Sequence, residues 1–357
     1  MINVTKTFLP PFEEYTAMLK RAWDKSWITN NGELVIELEQ KLKTYLGVRN
    51  LWFCNNGTTV LQIALKVLKI TGEVITTPFS YVATTNAILW ENCSPVFVDI
   101  DPLNFCIDAS KIENSITEKT QAILATHVYG YPCDTTAIQA IAKKYNLKVI
   151  YDGAHAFGTE VNGRSIFTEG DISTCSFHAT KIFHTGEGGS IITTDDGLAQ
   201  KIFLYSHFGH KADDYYSIGI NGKNSEFHAA LGLCNLKYYD WIKEVRKKQW
   251  LYYHSKLGNS NLQLLNIGNE IKYNYAYFPT VFPSEQYLLK AIEALKVKNV
   301  SPRRYFYPSL NKLPYLLYQA CPISENIASR IMCLPLFHDL LPDQQDIIVD
   351  TILENLK

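Results

Sequence analysis

Short apolar segments alternate with amphipathic segments between residues 34 and 200. Six segments are apolar at nearly every position and rich in β-branched residues: 72–79, 94–101, 121–128, 147–154, 172–178 and 189–196. Strands that are apolar on both faces belong to sheets that are covered on both sides. The alternation therefore predicts an α/β fold with a mostly parallel sheet.

Helical periodicity fills the intervals between the predicted strands. In 133–146 the apolar residues recur at three- and four-residue spacing, and Asp134 is a candidate N-cap. Comparable patterns predict helices at 60–70, 83–92 and 108–116. The connection between 172–178 and 189–196 is too short for a crossover helix, so we expect the last strand to run antiparallel to its predecessor.

The second part of the chain has a looser pattern. Helical periodicity runs from about 225 to 257, and a further helix is predicted around 286–299. Because a chain of 357 residues exceeds the size at which a single core stops growing, we expect two domains. We place a large α/β domain at 1–245 and a smaller α+β domain at 246–357.

Composition and charge narrow the class of protein. The chain is 46% apolar and 19% charged, with a formal net charge of −1, which favours a folded protein without affinity for nucleic acid or membranes. Its eight cysteines lack the spacing of a zinc site or a disulfide framework, so we expect a cytoplasmic protein without a metal. The first residues lack the apolar segment of a leader, and no stretch is long and apolar enough to span a membrane, so we expect a soluble, unprocessed protein. A small-molecule partner is therefore expected.

Two charged residues follow neighbouring predicted strands. Asp152 comes at the end of one strand, and Lys181 comes after the next. Ligands of open α/β sheets bind at the carboxyl ends of the strands, so both side chains could face one site. A lone aspartate can equally cap the next segment, and a lone lysine can be a surface residue.

A small polar turn opens the helix predicted at 60–70. Gly57 and Thr58 follow Asn56 at the start of this helix, where free N–H groups and the helix dipole attract phosphate. An ordinary capped helix explains the turn equally well when it is considered alone. Together with Asp152 and Lys181, however, the turn supplies what pyridoxal phosphate requires: a Schiff-base lysine, an acid at the pyridine nitrogen and a phosphate site.

Five motifs occur in order along the chain. They are TPFSYVATTNAI, PVFVDID, YDGAHAFG, GDISTCSFHATK followed by GEGGSI, and GINGKNSEFHAALG. Together they make a sequence that resembles the DegT/DnrJ/EryC1/StrS family of nucleotide-sugar aminotransferases, from near residue 30 to near residue 335. The resemblance implies a fold-type I enzyme that uses pyridoxal phosphate. It also implies a mostly parallel seven-stranded sheet in the large domain.

The resemblance assigns roles to residues of these motifs. It implies that Lys181 is the Schiff-base lysine and the proton shuttle, and that Asp152 pairs with the pyridine nitrogen. The other residues implied to contact the cofactor are His155 beside the ring or its phenolic oxygen, Tyr81 stacked on the ring, and Gly57, Thr58 and Ser176 at the phosphate, with Thr59 as an auxiliary contact. Judged by residue type alone, the histidine and the tyrosine could instead belong to the core.

The last of these motifs implies a homodimer with active sites at the subunit interface. Asn221 matches an asparagine that reaches the cofactor phosphate of the partner subunit. The family often has Asn-Tyr-Arg at this position, whereas this chain has Asn221, Gly222 and Lys223. Lys223 is expected at the substrate and supplies a cation, but it lacks the bidentate geometry of an arginine.

The resemblance also indicates the reaction. Relatives that dehydrate sugars carry histidine in place of Lys181, so the lysine favours transamination. The segment SFHATKIFHTGEGGS is most similar to the branch that makes dTDP-4-amino-4,6-dideoxyglucose from dTDP-4-dehydro-6-deoxyglucose and L-glutamate, as in O-antigen lipopolysaccharide synthesis. His178, within this segment, is expected to shape the pocket. Amination at C3 of dTDP-3-dehydro-6-deoxyhexose and use of a UDP- or GDP-linked 4-keto sugar remain open.

The segment RRYFYPSL at 303–310 is a candidate contact for the nucleotide sugar. Arg303 or Arg304 could meet the diphosphate, and Tyr305 or Tyr307 could meet a ring. Core aromatics beside solvated arginines explain the segment equally well.

Two other classes of protein are weighed against this one. A nicotinamide-dependent enzyme would carry GxGxxG after its first strand, and this chain has NNGTT there. A non-catalytic regulatory protein that keeps the cofactor would retain Lys181 and Asp152. It would usually add a DNA-binding segment, and the chain has neither a spare segment nor a basic patch.

Overall fold

Helices and strands alternate along most of the chain in the computed structural model, which describes residues 1–356. The helices are α1 (Phe12–Asp24), α2 (Glu33–Leu46), α3 (Gly57–Val67), α4 (Val82–Trp90), α5 (Ala109–Ile112), α6 (Thr135–Tyr145), α7 (Asp196–Ser206), α8 (Glu226–Leu257), α9 (Glu285–Val297), α10 (Pro322–Arg330) and α11 (Pro342–Glu354). The strands are β1 (Ile2–Asn3), β2 (Asn50–Cys54), β3 (Glu73–Thr76), β4 (Ser94–Phe97), β5 (Thr120–Thr126), β6 (Lys148–Asp152), β7 (Glu160–Val161), β8 (Arg164–Ser165), β9 (Ile172–Ser176), β10 (Gly189–Thr193), β11 (His210–Lys211), β12 (Asp214–Tyr215), β13 (Gln263–Leu264), β14 (Ile271–Lys272), β15 (Phe278–Val281), β16 (Val300–Ser301) and β17 (Ile331–Leu334).

A seven-stranded sheet organises the first two hundred residues. Its strand order is β2-β10-β9-β6-β5-β3-β4. Strand β10 runs antiparallel to both of its neighbours, β2 and β9, and the other strands run parallel to one another. The mostly parallel sheet and the reversed strand after the short connection confirm the two sequence predictions.

Strand β5 shows why the strands are apolar at every position. Ala122 and Leu124 pack in a cluster with residues of α3, α4 and α7. Ile123 and Ala125 point to the other face of the sheet and pack in a cluster with residues of α2, α6 and α8. Because helices cover both faces, all four side chains are fully buried.

The helices follow the predicted periodicity with one clear exception. Helices α4, α6, α8 and α9 lie where the sequence predicts them, and Asp134 caps α6 by accepting the Ala137 N–H at 2.9 Å. The helix predicted at 108–116 is only the single turn α5, followed by a 3-10 turn at Glu113–Ser115. Helix α5 fully buries only Ile112, which is too little packing to stabilise a longer helix.

Helix α8 links the two parts of the chain. It is 32 residues long, so the domain boundary proposed at 245 lies inside a continuous helix. Its second half packs with α9, α11, β15 and β17 in a separate apolar cluster. Strand β1 also pairs with β16, so the N-terminal residues lie beside the C-terminal part. The division into two domains stays a prediction.

None of the helices within residues 1–356 combines the length and the apolar composition that crossing a membrane requires.

Candidate active site

A cavity of about 240 Å³ lies where the carboxyl ends of β5, β6 and β9 meet the N-terminus of α3. This is the edge at which open α/β sheets bind ligands. Most of the residues that the sequence predicts for the site line this cavity. They are Gly57, Thr58, Tyr81, Asp152, His155, Ser176, His178, Lys181, Arg303 and Tyr305. The fold therefore brings together residues from five separate segments of the chain.

Asp152 is the last residue of β6 and is 5% exposed. Its Oδ2 accepts a hydrogen bond from the Thr84 hydroxyl at 2.7 Å, and its Oδ1 accepts one from the Ala154 N–H at 3.0 Å. Burial raises the pKa of Asp152, and these hydrogen bonds and the charge of Lys181 oppose the rise. An oriented carboxylate with spare acceptor capacity on a cavity wall fits a protonated ring nitrogen.

Lys181 comes after β9, in a turn where its N–H donates to the carbonyl of His178 at 2.9 Å. Burial lowers the pKa of the Lys181 amine, and the nearby Tyr305 and Asp152 oppose this effect. A lower pKa raises the fraction of the neutral amine, which is the form that attacks an aldehyde or accepts a proton. The surroundings of Lys181 therefore suit covalent attachment of an aldehyde cofactor.

The N-terminus of α3 and Ser176 form a cradle for an anion. Asn56 caps the helix by accepting the Thr59 N–H at 2.8 Å. The N–H groups of Gly57 and Thr58 lie in the first turn, where the helix offers no carbonyl to them. A Cβ on Gly57 would lie 2.8 Å from the Ser176 Cβ, so glycine is needed for this close approach. These donors fit a phosphate group.

Two rings line the cavity near these groups. Tyr81 precedes α4 and is 53% exposed, and none of the aromatic pairs within residues 1–356 includes it. Its face is therefore accessible to a ligand ring. His155 is buried and stacks on Phe306, with ring centroids 5.6 Å apart. Burial lowers the pKa of His155 well below its usual value, so the imidazole is neutral at physiological pH.

Thr59 and Arg304 lie outside the lining of the cavity. The N–H of Thr59 is used in capping α3, as described above. The guanidinium of Arg304 donates to the carboxylate of Glu285 at 2.7 Å and to the carbonyl of Ser329. Of the two arginines considered for the diphosphate, Arg303 faces the cavity and Arg304 is engaged elsewhere.

Asn221 and Lys223 also lie outside the cavity of their own chain, in the connection between α7 and α8. The carbonyl of Asn221 accepts a hydrogen bond from the Asn55 side chain at 3.3 Å. The ammonium group of Lys223 lies 4.6 Å from the centroid of the Phe208 ring. The roles expected for both residues therefore depend on a second subunit and stay predictions.

Sequence reasoning missed Thr84, the residue that orients Asp152. Thr84 is fully buried in α4, whose other buried residues include Ala87 and Ile88. Thr85, the next residue, is equally buried and its hydroxyl has no hydrogen-bond partner within residues 1–356, so residue type and burial alone do not single out Thr84. Glu187, in the GEGG segment, also lines the cavity and was not predicted to do so.

Comparison with known proteins places the chain in a family. The model of the DegT/DnrJ/EryC1/StrS aminotransferase family matches residues 12–353. The chain belongs to this family and is an aminotransferase of the class that depends on pyridoxal phosphate.

Two curated relatives are similar over nearly their whole length. The dTDP-4-amino-4,6-dideoxy-D-glucose transaminase of Shigella dysenteriae is 42% identical over 361 aligned residues, which cover 99% of this chain and 98% of the relative. The enzyme of the same name from Escherichia coli is 39% identical, with 95% of this chain and 94% of the relative covered.

A solved structure confirms the fold. The crystal structure of DesI in the presence of its TDP-sugar product has a TM-score of 0.94 and 29% identity to this chain. The match covers 100% of this chain and 93% of DesI.

Proposed function

We propose that the protein transfers the amino group of L-glutamate to C4 of dTDP-4-dehydro-6-deoxy-D-glucose. The products are dTDP-4-amino-4,6-dideoxy-D-glucose and 2-oxoglutarate. The observation that carries the proposal is the meeting of Lys181, Asp152 and the cradle of Gly57, Thr58 and Ser176 in one cavity. The choice of sugar rests on the names of the relatives from Shigella dysenteriae and Escherichia coli.

The lining of the cavity fits pyridoxal phosphate, which supplies an electron sink when bound. Asp152 would keep the ring nitrogen protonated. Gly57, Thr58 and Ser176 would bind the phosphate through N–H and hydroxyl donors. Tyr81 would pack on the ring, and His155 would lie beside the ring or its phenolic oxygen.

Lys181 moves the protons in this proposal. Its Nζ would take a proton from Cα of glutamate and, in the second half of the reaction, deliver one to C4 of the sugar. Burial assists the first transfer because it favours the neutral amine, which has a free lone pair. Lys181 is thus both the anchor of the cofactor and the general base and acid.

A homodimer would complete each cavity. Asn221 and Lys223 lie outside the cavity of their own chain, and the loop that carries them exposes Ile218, Ile220 and Phe208. Apolar side chains on such a loop are suited to an interface between copies of this chain. We propose that Asn221 of one subunit reaches the phosphate site of the other, and that Lys223 attracts a carboxylate of the amino donor.

The role of Lys181 is tested with Lys181→Ala and Lys181→Arg. Both variants should lose the visible absorbance of covalently bound cofactor, and turnover should fall by roughly 10³-fold or more because neither side chain can bind the aldehyde and move the proton. Lys143→Ala, at an exposed position on α6, is the matched control and should behave like the wild type. Transamination by Lys181→Ala at a normal rate would contradict the assignment.

The sugar is tested with glutamate and a panel of dTDP-, UDP- and GDP-linked keto sugars, followed by NMR of the product. Nitrogen at C4 of the dTDP sugar is the expected result. Nitrogen at C3, or preference for a UDP- or GDP-linked 4-keto sugar, would replace the proposed substrate while keeping the enzyme class. Bound cofactor without turnover of any member of the panel would favour a non-catalytic regulatory protein.

A further inference from the structure

Several polar residues of the cavity wall are not among those that fit the cofactor, and three of them lie in one connection. His178, Thr180 and Glu187 lie in the connection between β9 and β10, which also carries Lys181. A ligand that contacts these residues would therefore bind close to the segment that holds the reacting lysine.

His178 is held in one tautomer. Its Nδ1 accepts a hydrogen bond from the backbone N–H of Thr180 at 3.3 Å and lies 2.8 Å from the Thr180 hydroxyl. A ring nitrogen that accepts an N–H carries no proton, so the proton of the neutral ring is on Nε2. His178 therefore presents an N–H donor on its other side.

Glu187 faces this donor. Its Oε1 lies 3.6 Å from His178 Nε2, which is longer than a hydrogen bond, and its side chain is 57% exposed. The backbone of Glu187 is fixed, because its carbonyl accepts hydrogen bonds from the Thr185 hydroxyl at 2.8 Å and the Asn224 amide at 3.1 Å. A carboxylate acceptor and an imidazole donor thus stand side by side without a direct hydrogen bond.

One hydroxyl group placed beside the two atoms can bond to both of them. An oxygen can lie about 2.8 Å from both atoms, because their separation is less than twice a hydrogen-bond length. A hydroxyl can accept from the His178 N–H and donate to the Glu187 carboxylate at the same time. A phosphate oxygen has no proton to donate and would be repelled by the carboxylate.

We propose that His178 and Glu187 form a subsite that binds one hydroxyl of the hexose and thereby orients the sugar. The proposal rests on the proposed function, since it assumes that the second substrate is a nucleotide sugar. It makes Glu187 a specificity residue, because the orientation of the hexose decides which of its carbons meets Lys181.

The charges of the cavity wall support this orientation. Arg303 supplies a cation, and its guanidinium lies 4.5 Å from the centroid of the Tyr305 ring. A nucleotide sugar has an anionic diphosphate joined to an uncharged hexose. Attraction by Arg303 and repulsion by Glu187 both favour placing the diphosphate near the arginine and the hexose near the carboxylate.

The test compares the binding of dTDP and dTDP-glucose to the holoenzyme by calorimetry. In Glu187→Ala the affinity for dTDP-glucose should fall roughly tenfold, which is the usual effect of losing one charge-assisted hydrogen bond. The affinity for dTDP should stay within about twofold, since dTDP has no hexose. Glu187→Gln keeps an acceptor oxygen and should lose less, and the exposed Glu118→Ala is the control.

Steady-state kinetics give a second readout. In Glu187→Ala the KM for the keto sugar should rise, while the KM for glutamate and the rate of the half-reaction with glutamate alone should not change. Equal loss of dTDP and dTDP-glucose binding, or no loss, would overturn the subsite. If the proposed function is wrong, turnover will be absent with every keto sugar. The binding comparison does not depend on turnover, so the two failures can be told apart.

The double variant His178→Ala/Glu187→Ala tests whether the two groups share one hydroxyl. If they do, the loss of dTDP-glucose affinity should be smaller than the product of the two single losses. Losses that multiply would show that the groups bind separately and would contradict a shared hydroxyl.

Discussion

Asp152 must be ionised to pair with a protonated ring nitrogen, but its buried position disfavours the negative charge. Asp152 is 5% exposed, and burial raises its pKa. The hydroxyl of Thr84 and the N–H of Ala154 restore part of the stabilisation that water would give the carboxylate. A cationic ring nitrogen would restore more, so the holoenzyme should be more stable than the cofactor-free protein.

Asp152→Asn should therefore have opposite effects on activity and on the stability of the cofactor-free protein. Turnover should fall by roughly 10²-fold or more, because the amide cannot hold the ring nitrogen protonated. Without cofactor, the unfolding midpoint at pH 7 should be higher than that of the wild type, because a buried charge has been removed.

The pH dependence checks the second effect. Because the folded-state pKa of Asp152 is raised, its ionisation costs stability as pH rises above the unfolded value of about 3.9. The advantage of the variant should be absent below that pH, develop above it and stay constant beyond the raised pKa. Thermal unfolding across this range measures it, with the exposed Asp350→Asn as the control. A wild type that is more stable at pH 7 than Asp152→Asn would contradict the argument.

At the scale of elements, a buried carboxylate joins two helices. Glu226, in the first turn of α8, accepts hydrogen bonds from the N–H groups of Leu34 at 2.7 Å and Val35 at 3.2 Å. These N–H groups lie in the first turn of α2, where an anion is stabilised by the helix dipole. A Cβ on Gly32 would lie 2.6 Å from the carboxylate, so the glycine allows the approach.

Glu226→Ala should lower the free energy of unfolding by roughly 2 kcal/mol, because two buried N–H groups of α2 lose their acceptor. Glu226→Gln keeps one acceptor oxygen and should lose less. Urea unfolding measures both, and Glu293→Ala, at an exposed position on α9, is the control. An unchanged unfolding midpoint in Glu226→Ala would show that the contact contributes nothing.

The elements that the sequence predicts well are those with a strong local pattern. The core strands and helix α8 have long apolar or periodic segments, and they occur where the pattern predicts them. Helix α1 was not predicted, although Tyr15, Met18 and Leu19 recur at helical spacing and pack against the core. Helices α2, α7, α10 and α11 were also not predicted.

At the scale of the whole molecule, residues from the C-terminal part complete the cavity. Phe306 is 4% exposed and stacks on Tyr129 and His155, with ring centroids 5.7 and 5.6 Å apart. Its neighbour Tyr305 lines the cavity together with Arg303. The aromatic stack therefore anchors the segment that carries the proposed contacts to the nucleotide sugar.

Phe306→Ala should reduce both stability and substrate affinity. Loss of a buried aromatic ring costs about 3 to 5 kcal/mol in the free energy of unfolding, and the KM for the keto sugar should rise because Arg303 and Tyr305 lose their support. Phe306→Leu fills more of the space and should lose less. Chemical unfolding and steady-state kinetics measure these effects, with the exposed Leu103→Ala as the control. A variant with wild-type stability would show that the stack is not an anchor.

Local patterns and general rules of sheet topology were enough to predict the alternation of strands and helices, the reversed strand β10, and the positions of Asp152 and Lys181 at neighbouring strands. Three contacts became visible only in the folded chain: Thr84 orients Asp152, Arg303 rather than Arg304 faces the cavity, and Glu187 stands beside His178. Such contacts depend on side-chain directions and on packing between distant segments, which periodicity does not encode.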